Sequence, residues 1–458
     1  TYDDILNLVK DGETVPDYLT GCISYDVSSE STGNIFFDKN VEFDIKMKNT
    51  YSSGAVRSKI EISKESGELV KSDVITNRTS VGGVTESVYS FKAPEYGLYL
   101  FRVSDENGMF DKTVRFSVCN PPEDGVKNSK LGADTDFDEG YRGTPSVNMP
   151  LISKAGFGIV REAFSWRNSD KDKTGAKLTE RHSDFVERAQ ENNINISALV
   201  SGGNTAYTSE SPPKSDDAIA AYADYCGRLA ALLKGKAEYT EVWNEYMLNG
   251  FNIDNLPPED YARLLIASYR AIKKADPDMK VSAFSLPGFS DTVLSGSVGG
   301  LSSKEWLRRV LTYLDENNAL DCFDVVSAHP YTETCMPDDG DIMKQKYDEM
   351  ISVLAEYGKE NTPIVATEIG WSTQNAFTDR KRQANALLRQ AVINEAYDMY
   401  EKMIIYVFQC YSHSAADREA NFGIINTFDG DCPNTARPAY VALCNYNRIM
   451  SGARFKGI

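Results

Sequence analysis

"EVWNEY" occupies residues 241–246, where a largely apolar run, "AEYTEVW" (237–243), stops on the polar pair Asn244 and Glu245. Burying a charge is expensive, so a strand enclosed on both faces ends on a carboxylate only where the carboxylate has a task. Seven other runs share this character: "KLGAD" (130–134), "FGIVRE" (157–162), "INISALV" (194–200), "MKVSAF" (279–284), "FDVVSAH" (323–329), "PIVATE" (363–368) and "KMIIYVF" (402–408). Amphipathic segments lie between them. "SDDAIAAYADYCGRLAALLKGK" carries acids in its first turn and apolar residues at helical spacing, and Gly235 closes it; "PPEDYARLLIASYRAIKKADP" opens on Pro and acids and ends on Lys273 and Lys274. Eight strand–helix units over residues 127–458 predict an α/β fold, a closed (β/α)8 TIM barrel. A doubly wound open sheet would usually carry a glycine-rich phosphate loop after its first strand, and "LGADTDFDEG" (131–140) is not one.

Residues 1–126 read differently. "VEFDIKMK" (41–48) alternates Val41, Phe43, Ile45 and Met47 with polar neighbours, the period of a half-buried strand. "SKIEISK", "SVYSFKAP", "GLYLFRVSD" and "KTVRFSVC" follow between Gly-, Ser- and Asn-rich turns, which predicts an all-β, immunoglobulin-like sandwich domain. "NPPEDGVKNS" (120–129) has the composition of a linker, so the expected division is 1–126 and 127–458.

The 458 residues have 41% hydrophobic and 25% charged content, ordinary for a globular protein, and a formal net charge of −18. Such acidity repels phosphate backbones and anionic lipid, so nucleic-acid and membrane-surface roles are disfavoured. No apolar run is long enough to span a bilayer. The eight cysteines form no CxxC pair; Cys22 and Cys119 could pair in an exported protein, with buried free thiols as the alternative. "DTDFDEG" (134–140) has Glu139 where a calcium loop needs Gly, and "DKDKTG" (170–175) has Arg181 where the bidentate Glu belongs, so both read as solvated loops.

A barrel carries its active site at the C-terminal ends of its strands. There the second strand offers Arg161, the fourth Asn244 and Glu245, the sixth His329 and Tyr331, and the seventh Glu368. Trp166 and Trp371 follow the second and seventh strands as candidate stacking surfaces for a sugar. Asn-Glu recurs at Asn394–Glu395 inside a helical stretch, so the information lies in position and not in the dipeptide. Two facing carboxylates suit glycosidic cleavage, one protonating the leaving oxygen and one attacking the anomeric carbon. Arg161 beside Glu368 would keep it charged, and Tyr331 would donate to it.

"EVWNEY" and "VATEIGWS", with "IVRE" and "HPY", resemble the strand ends of clan A retaining glycoside hydrolases, and "NFGIINTFDG…ARPAYVAL" resembles the end of family 39-like members. The resemblance covers the barrel. It implies Glu245 as acid/base, Glu368 as nucleophile, Asn244 on the substrate 2-hydroxyl, Arg161 and Tyr331 holding Glu368, and His329 lining the sugar site. Many clan members floor that site with a Trp at the end of strand eight; "YVFQCYSH" has none, which leaves Phe408, Gln409 or Tyr411.

The expectation is therefore a retaining β-glycoside hydrolase acting on β-linked oligo- or polysaccharide, with no cofactor and no metal. Export or a cell-surface location is expected, with a cytoplasmic one as the alternative. The rival readings are a metal-dependent hydrolase using Glu245, Glu368 and His329 as ligands, and a non-catalytic carbohydrate-binding barrel.

Overall fold

A computed structural model describes residues 23–50, 53–138, 140, 142–169, 177–208, 211–332, 341–374, 378–453 and 456. Cys22, Glu139 and the 170–175 loop lie outside the described residues. The chain divides into two compact units, Thr1–Asn120 with Asp429–Val441, and Pro121–Phe428 with Ala442–Ile458.

The first unit carries two sheets. One has the order β1-β3-β6 (Ile23–Ser28, Asn40–Asn49, Gly83–Lys92). The other has the order β2-β8-β7-β4-β5 (Ile35–Phe36, Asp111–Val118, Gly97–Asp105, Gly54–Lys64, Leu69–Thr79). Along β3 burial alternates residue by residue, and Val41, Phe43, Ile45 and Met47 are the buried set that the sequence alternation predicts. Phe43 sits at the centre, its ring 4.5 Å from Phe101, 5.3 Å from Phe116 and 5.6 Å from Phe36. β5 is an edge strand, with Leu69 and Val74 exposed.

The second unit is a closed barrel of eight parallel strands in sequential order. They are β9 (Asn128–Asp134), β10 (Phe157–Ala163), β11 (Asn195–Val200), β12 (Ala237–Val242), β13 (Lys280–Pro287), β14 (Val325–His329), β15 (Ile364–Ile369) and β16 (Lys402–Ile405). Helices alternate with them, and several start on a side-chain cap: Ser215 Oγ accepts from Ala218 N–H, Ser302 Oγ from Glu305 N–H, and Asp379 from Arg382 N–H. Inside the barrel, Ile159, Tyr239, Val325, Val365 and Ile404 form an apolar layer. Two residues further along the same strands stand Arg161, Glu241, Ser327 and Thr367, so the period of two places a polar layer directly above the apolar one. Among the described residues no helix is long and apolar enough to cross a membrane.

Truncating the centre of the sandwich core tests its weight. Phe43→Ala is expected to lower stability by about 3–5 kcal/mol in a denaturant titration of the full chain, in the transition that reports the first unit.

Candidate active site

The polar layer is organised by one side chain. Arg161, on β10, is 2% exposed. Its Nε donates to Glu241 at 2.7 Å, its Nη1 to both Asp134 and Glu368 at 2.8 Å, and its Nη2 to Asn244 Oδ1 at 2.9 Å. Glu241 is fully buried on β12 and also accepts from the Thr367 hydroxyl.

The strand ends that deliver these groups are irregular. Between Ala366 and Ile369, β15 carries one residue more than its partner β16, so Thr367 and Glu368 both reach inward although they are neighbours in sequence. β13 bulges likewise between Ala283 and Leu286 and turns Ser285 toward Asn244 and His329. Trp243 (φ 65°), Glu245 (φ 40°), Phe284 (φ 85°) and Ser285 (φ 45°) all adopt left-handed backbone, which costs a non-glycine residue energy and persists only where neighbours enforce it. Here the Val200 carbonyl holds Trp243 N–H, the Tyr261 hydroxyl holds Phe284 N–H and Ser327 Oγ holds Ser285 N–H.

The hydrogen bonds fix where protons lie. Arg161 can only donate, so Asn244 must turn its oxygen toward the guanidinium, leaving its NH2 as the group free to donate. Ser285 Oγ then donates to the same oxygen at 3.2 Å, which spends its one hydrogen. Its other partner, His329 Nε2 at 3.0 Å, must therefore carry a proton. His329 Nδ1 stands 2.8 Å from Glu245 Oε1 and 3.4 Å from Glu368 Oε2. An imidazole already protonated at Nε2 can hold Glu245 only if a further proton lies between Nδ1 and Oε1.

The electrostatics agree. Burial disfavours the imidazolium of His329, yet the facing Glu368 and Glu245 outweigh it and raise its pKa. Burial pushes Glu368 up, but His329, Arg161 and the Tyr331 hydroxyl (3.0 Å) more than reverse this and hold it below the usual carboxylate range. Asp134 shares Nη1 of Arg161 with Glu368 and goes the other way: burial, with Asp136 and Glu368 nearby, pushes it up to about 7 despite Arg161. Electrostatics thus favour the ionised form of Glu368 and the protonated form of His329 beside it.

Above this cluster opens a cavity of about 680 Å³ lined by Arg161, Asn244, Glu245, Tyr331 and Glu368 among others. His329 is fully buried beneath it. The stacking expectations need correction. Trp166 is fully buried against Tyr207 and Tyr222, Trp371 is 5% exposed, and neither lines the cavity, whereas Trp243 does. The expected floor residues also move. β16 ends at Ile405, so Phe408 and Gln409 are buried outside the cavity lining, Tyr411 pairs with Asp417, and Tyr406 takes the place at the cavity. Tyr406 donates to Glu419 (3.2 Å) and accepts from Arg142, which is also paired with Asp136. A Cβ on Gly370 would stand 2.1 Å from the Tyr406 carbonyl, so the glycine of "EIGW" lets the ends of β15 and β16 close on each other.

Sequence reasoning missed Glu241, Asp134, Ser285, Tyr406 and Glu419. Glu241 was visible as a charge within an apolar run, two residues from Tyr239 and so on the same face. Asp134 was the last letter of the first run. Ser285 and Tyr406 fell to strand ends each displaced by three residues. Glu162 is not a cavity residue: its carboxylate binds the Thr135 hydroxyl and the N–H groups of Phe137 and Asp138, and so shapes the loop that presents Asp136 and Asp138 to the cavity.

No family model matches the chain, and no curated protein does. Among solved structures it is similar to a family 39 glycoside hydrolase from the gut symbiont Bacteroides cellulosilyticus WH2, at 18% identity and a TM-score of 0.71, over 95% of this chain and 84% of that one. A monomeric β-xylosidase from Caulobacter crescentus CB15 gives 15% identity and a TM-score of 0.52 over 72% and 69% of the two chains. The GH39 enzyme from Xanthomonas axonopodis pv. citri gives 17% and 0.51 over 72% and 67%. At these identities the likeness is one of fold.

Arg161→Met would leave three buried carboxylates without their cation. The expected loss is about 3–5 kcal/mol, read as a melting temperature lower by roughly 10 °C, with Arg161→Lys recovering part of it.

Proposed function

We propose that the protein is a glycoside hydrolase that cleaves β-linked oligo- or polysaccharide with retention, acting outside the cell or at its surface. The observation that carries this reading is the spacing of the two carboxylates: one oxygen of Glu245, one of Glu368 and a nitrogen of His329 all lie within 4.8 Å of one another. Retaining enzymes hold their carboxyl groups about 5–5.5 Å apart, whereas inverting ones leave about 6.5–9.5 Å for a water.

In the first step Glu368, held ionised by Arg161, Tyr331 and His329, attacks the anomeric carbon. The bond to the leaving oxygen breaks, and the proton shared by Glu245 and His329 passes through Glu245 to that oxygen. The amide NH2 of Asn244 donates to a hydroxyl of the sugar, a contact that lowers the barrier where it strengthens in the transition state. Glu245, now deprotonated, takes a proton from water, and the hydroxide oxygen displaces Glu368 from the anomeric carbon. The three clustered atoms could also ligate a divalent metal, but the guanidinium 2.8 Å from Glu368 opposes a second cation there.

Hydrolysis of aryl β-glycosides is expected to survive a strong chelator and to fall by about 10⁴-fold in Glu368→Ala. Glu245→Ala should slow substrates with poor leaving groups far more than a 2,4-dinitrophenyl glycoside, which departs without a proton. Equal loss on both would remove Glu245 as the acid. His329→Asn removes a cation beside Glu368, so the nucleophile's pKa rises. The acid limb of the kcat/KM profile should therefore move to higher pH than in the parent, and a shift to lower pH would contradict the arrangement.

A further inference from the structure

We propose that the loop after β12, residues 247–256, is a leaving-group platform on which Leu248, Phe251 and Ile253 receive an apolar or aromatic aglycone. The inference rests on the glycosidase reading, since it takes Glu245 as the group that protonates the departing oxygen.

Single exposed apolar side chains are ordinary on a protein surface. These are not single: Phe251 is 40% and Ile253 54% exposed, and with Leu248 they line the same cavity as Glu245 and Glu368. The loop is also built to hold them outward. Asn252, between the two, is fully buried; its amide donates to the Tyr246 and Leu256 carbonyls (3.1 and 2.8 Å) and accepts from Leu256 N–H (2.9 Å). Trp243 Nε1 donates to the Phe251 carbonyl at 2.9 Å, and Asp254 N–H donates to Ser211 Oγ at 3.0 Å. Leu248 N–H donates to the carbonyl of Glu245 itself at 2.8 Å, which ties the platform to the acid.

Chemistry assigns the platform to the leaving side. A proton donor must touch the departing oxygen, so whatever that oxygen carries lies next to Glu245 and the segment that follows it. Across the barrel, the ends of β9 and β16 and the loops after them supply Asp136, Asp138, Tyr406 and Glu419, groups that suit the hydroxyls of the sugar being transferred. Phe422 also lines that side but is buried, so the exposed apolar side chains gather at the platform and the hydroxyl and carboxyl groups opposite, with the scissile bond between them. An aglycone with an apolar face removes Phe251 and Ile253 from water; a second sugar would leave much of its hydroxyl surface without partners on these three side chains.

The test compares the parent with Phe251→Ala/Ile253→Ser on the 4-nitrophenyl glycoside, the methyl glycoside and the disaccharide of one sugar. The ratio of kcat/KM for the aryl over the methyl glycoside should fall about tenfold in the variant, the scale expected when a large apolar contact is lost. An unchanged ratio overturns the platform, and a larger fall for the disaccharide than for the aryl glycoside makes it a sugar subsite instead. A readout that needs no turnover separates this from failure of the glycosidase reading. The free aglycone analogue 2-phenylethanol should quench or shift the tryptophan fluorescence of the parent saturably, and of the variant with at least about tenfold weaker affinity. No saturable change in the parent overturns the proposal even if glycosidase activity is found. Saturable binding in a parent without activity upholds the apolar platform and sinks the reading on which its leaving-group role rests.

Discussion

A buried guanidinium that satisfies three carboxylates and an amide at once is the constraint on which the rest of the site depends. Alone, Arg161 cannot neutralise Asp134, Glu241 and Glu368 together. The pKa of Asp134, pushed up to about 7, and that of His329, raised beside Glu368, both work against the surplus. The same guanidinium sets the direction of every hydrogen bond downstream. It turns the Asn244 amide, which commits the Ser285 hydroxyl, which commits His329 Nε2, which leaves Nδ1 to share a proton with Glu245. An ionised Glu368 and a Glu245 tied to His329 are two ends of one chain of donors and acceptors that begins on β10.

The barrel was legible in the sequence because its strands are nearly continuous apolar runs, and all eight ended within three residues of the structure. Glu245 and Glu368, the pair proposed to catalyse, stood out for the same reason, since a carboxylate at the end of such a run is unusual. Side chains that act from inside the barrel were harder. Glu241 and Asp134 belong to the strands themselves, and reading strand ends alone passes over them. β5, an edge strand exposed over much of both faces, lacks the apolar alternation that marked β3 and takes its order from pairing with β4. Trp166 and Trp371 were misplaced because aromatic residues after strand ends can fold back into the barrel's outer core as readily as they face its mouth. Only packing decides, and Trp166 finds Tyr207 and Tyr222 there.

Irregular backbone is concentrated where the chemistry is proposed. Trp243, Glu245, Phe284 and Ser285 lie within two adjacent strand ends, and each is held by groups of the barrel wall or of the platform loop. The positions that cost most in backbone conformation are thus those whose side chains most need one orientation.

The extra residue in β15 has a consequence for comparing distant barrels. Because Thr367 and Glu368 both face inward, strict alternation breaks at the carboxylate proposed to attack, and an alignment that respects in–out parity would assign that role to the wrong neighbour. Matching such chains by hydrophobic rhythm loses register at the very residue of greatest interest, whereas superposing backbones does not. A break in parity at the end of a buried strand is then itself a marker, and in other diverged barrels it offers a way to find the reactive carboxylate before any relative is recognised.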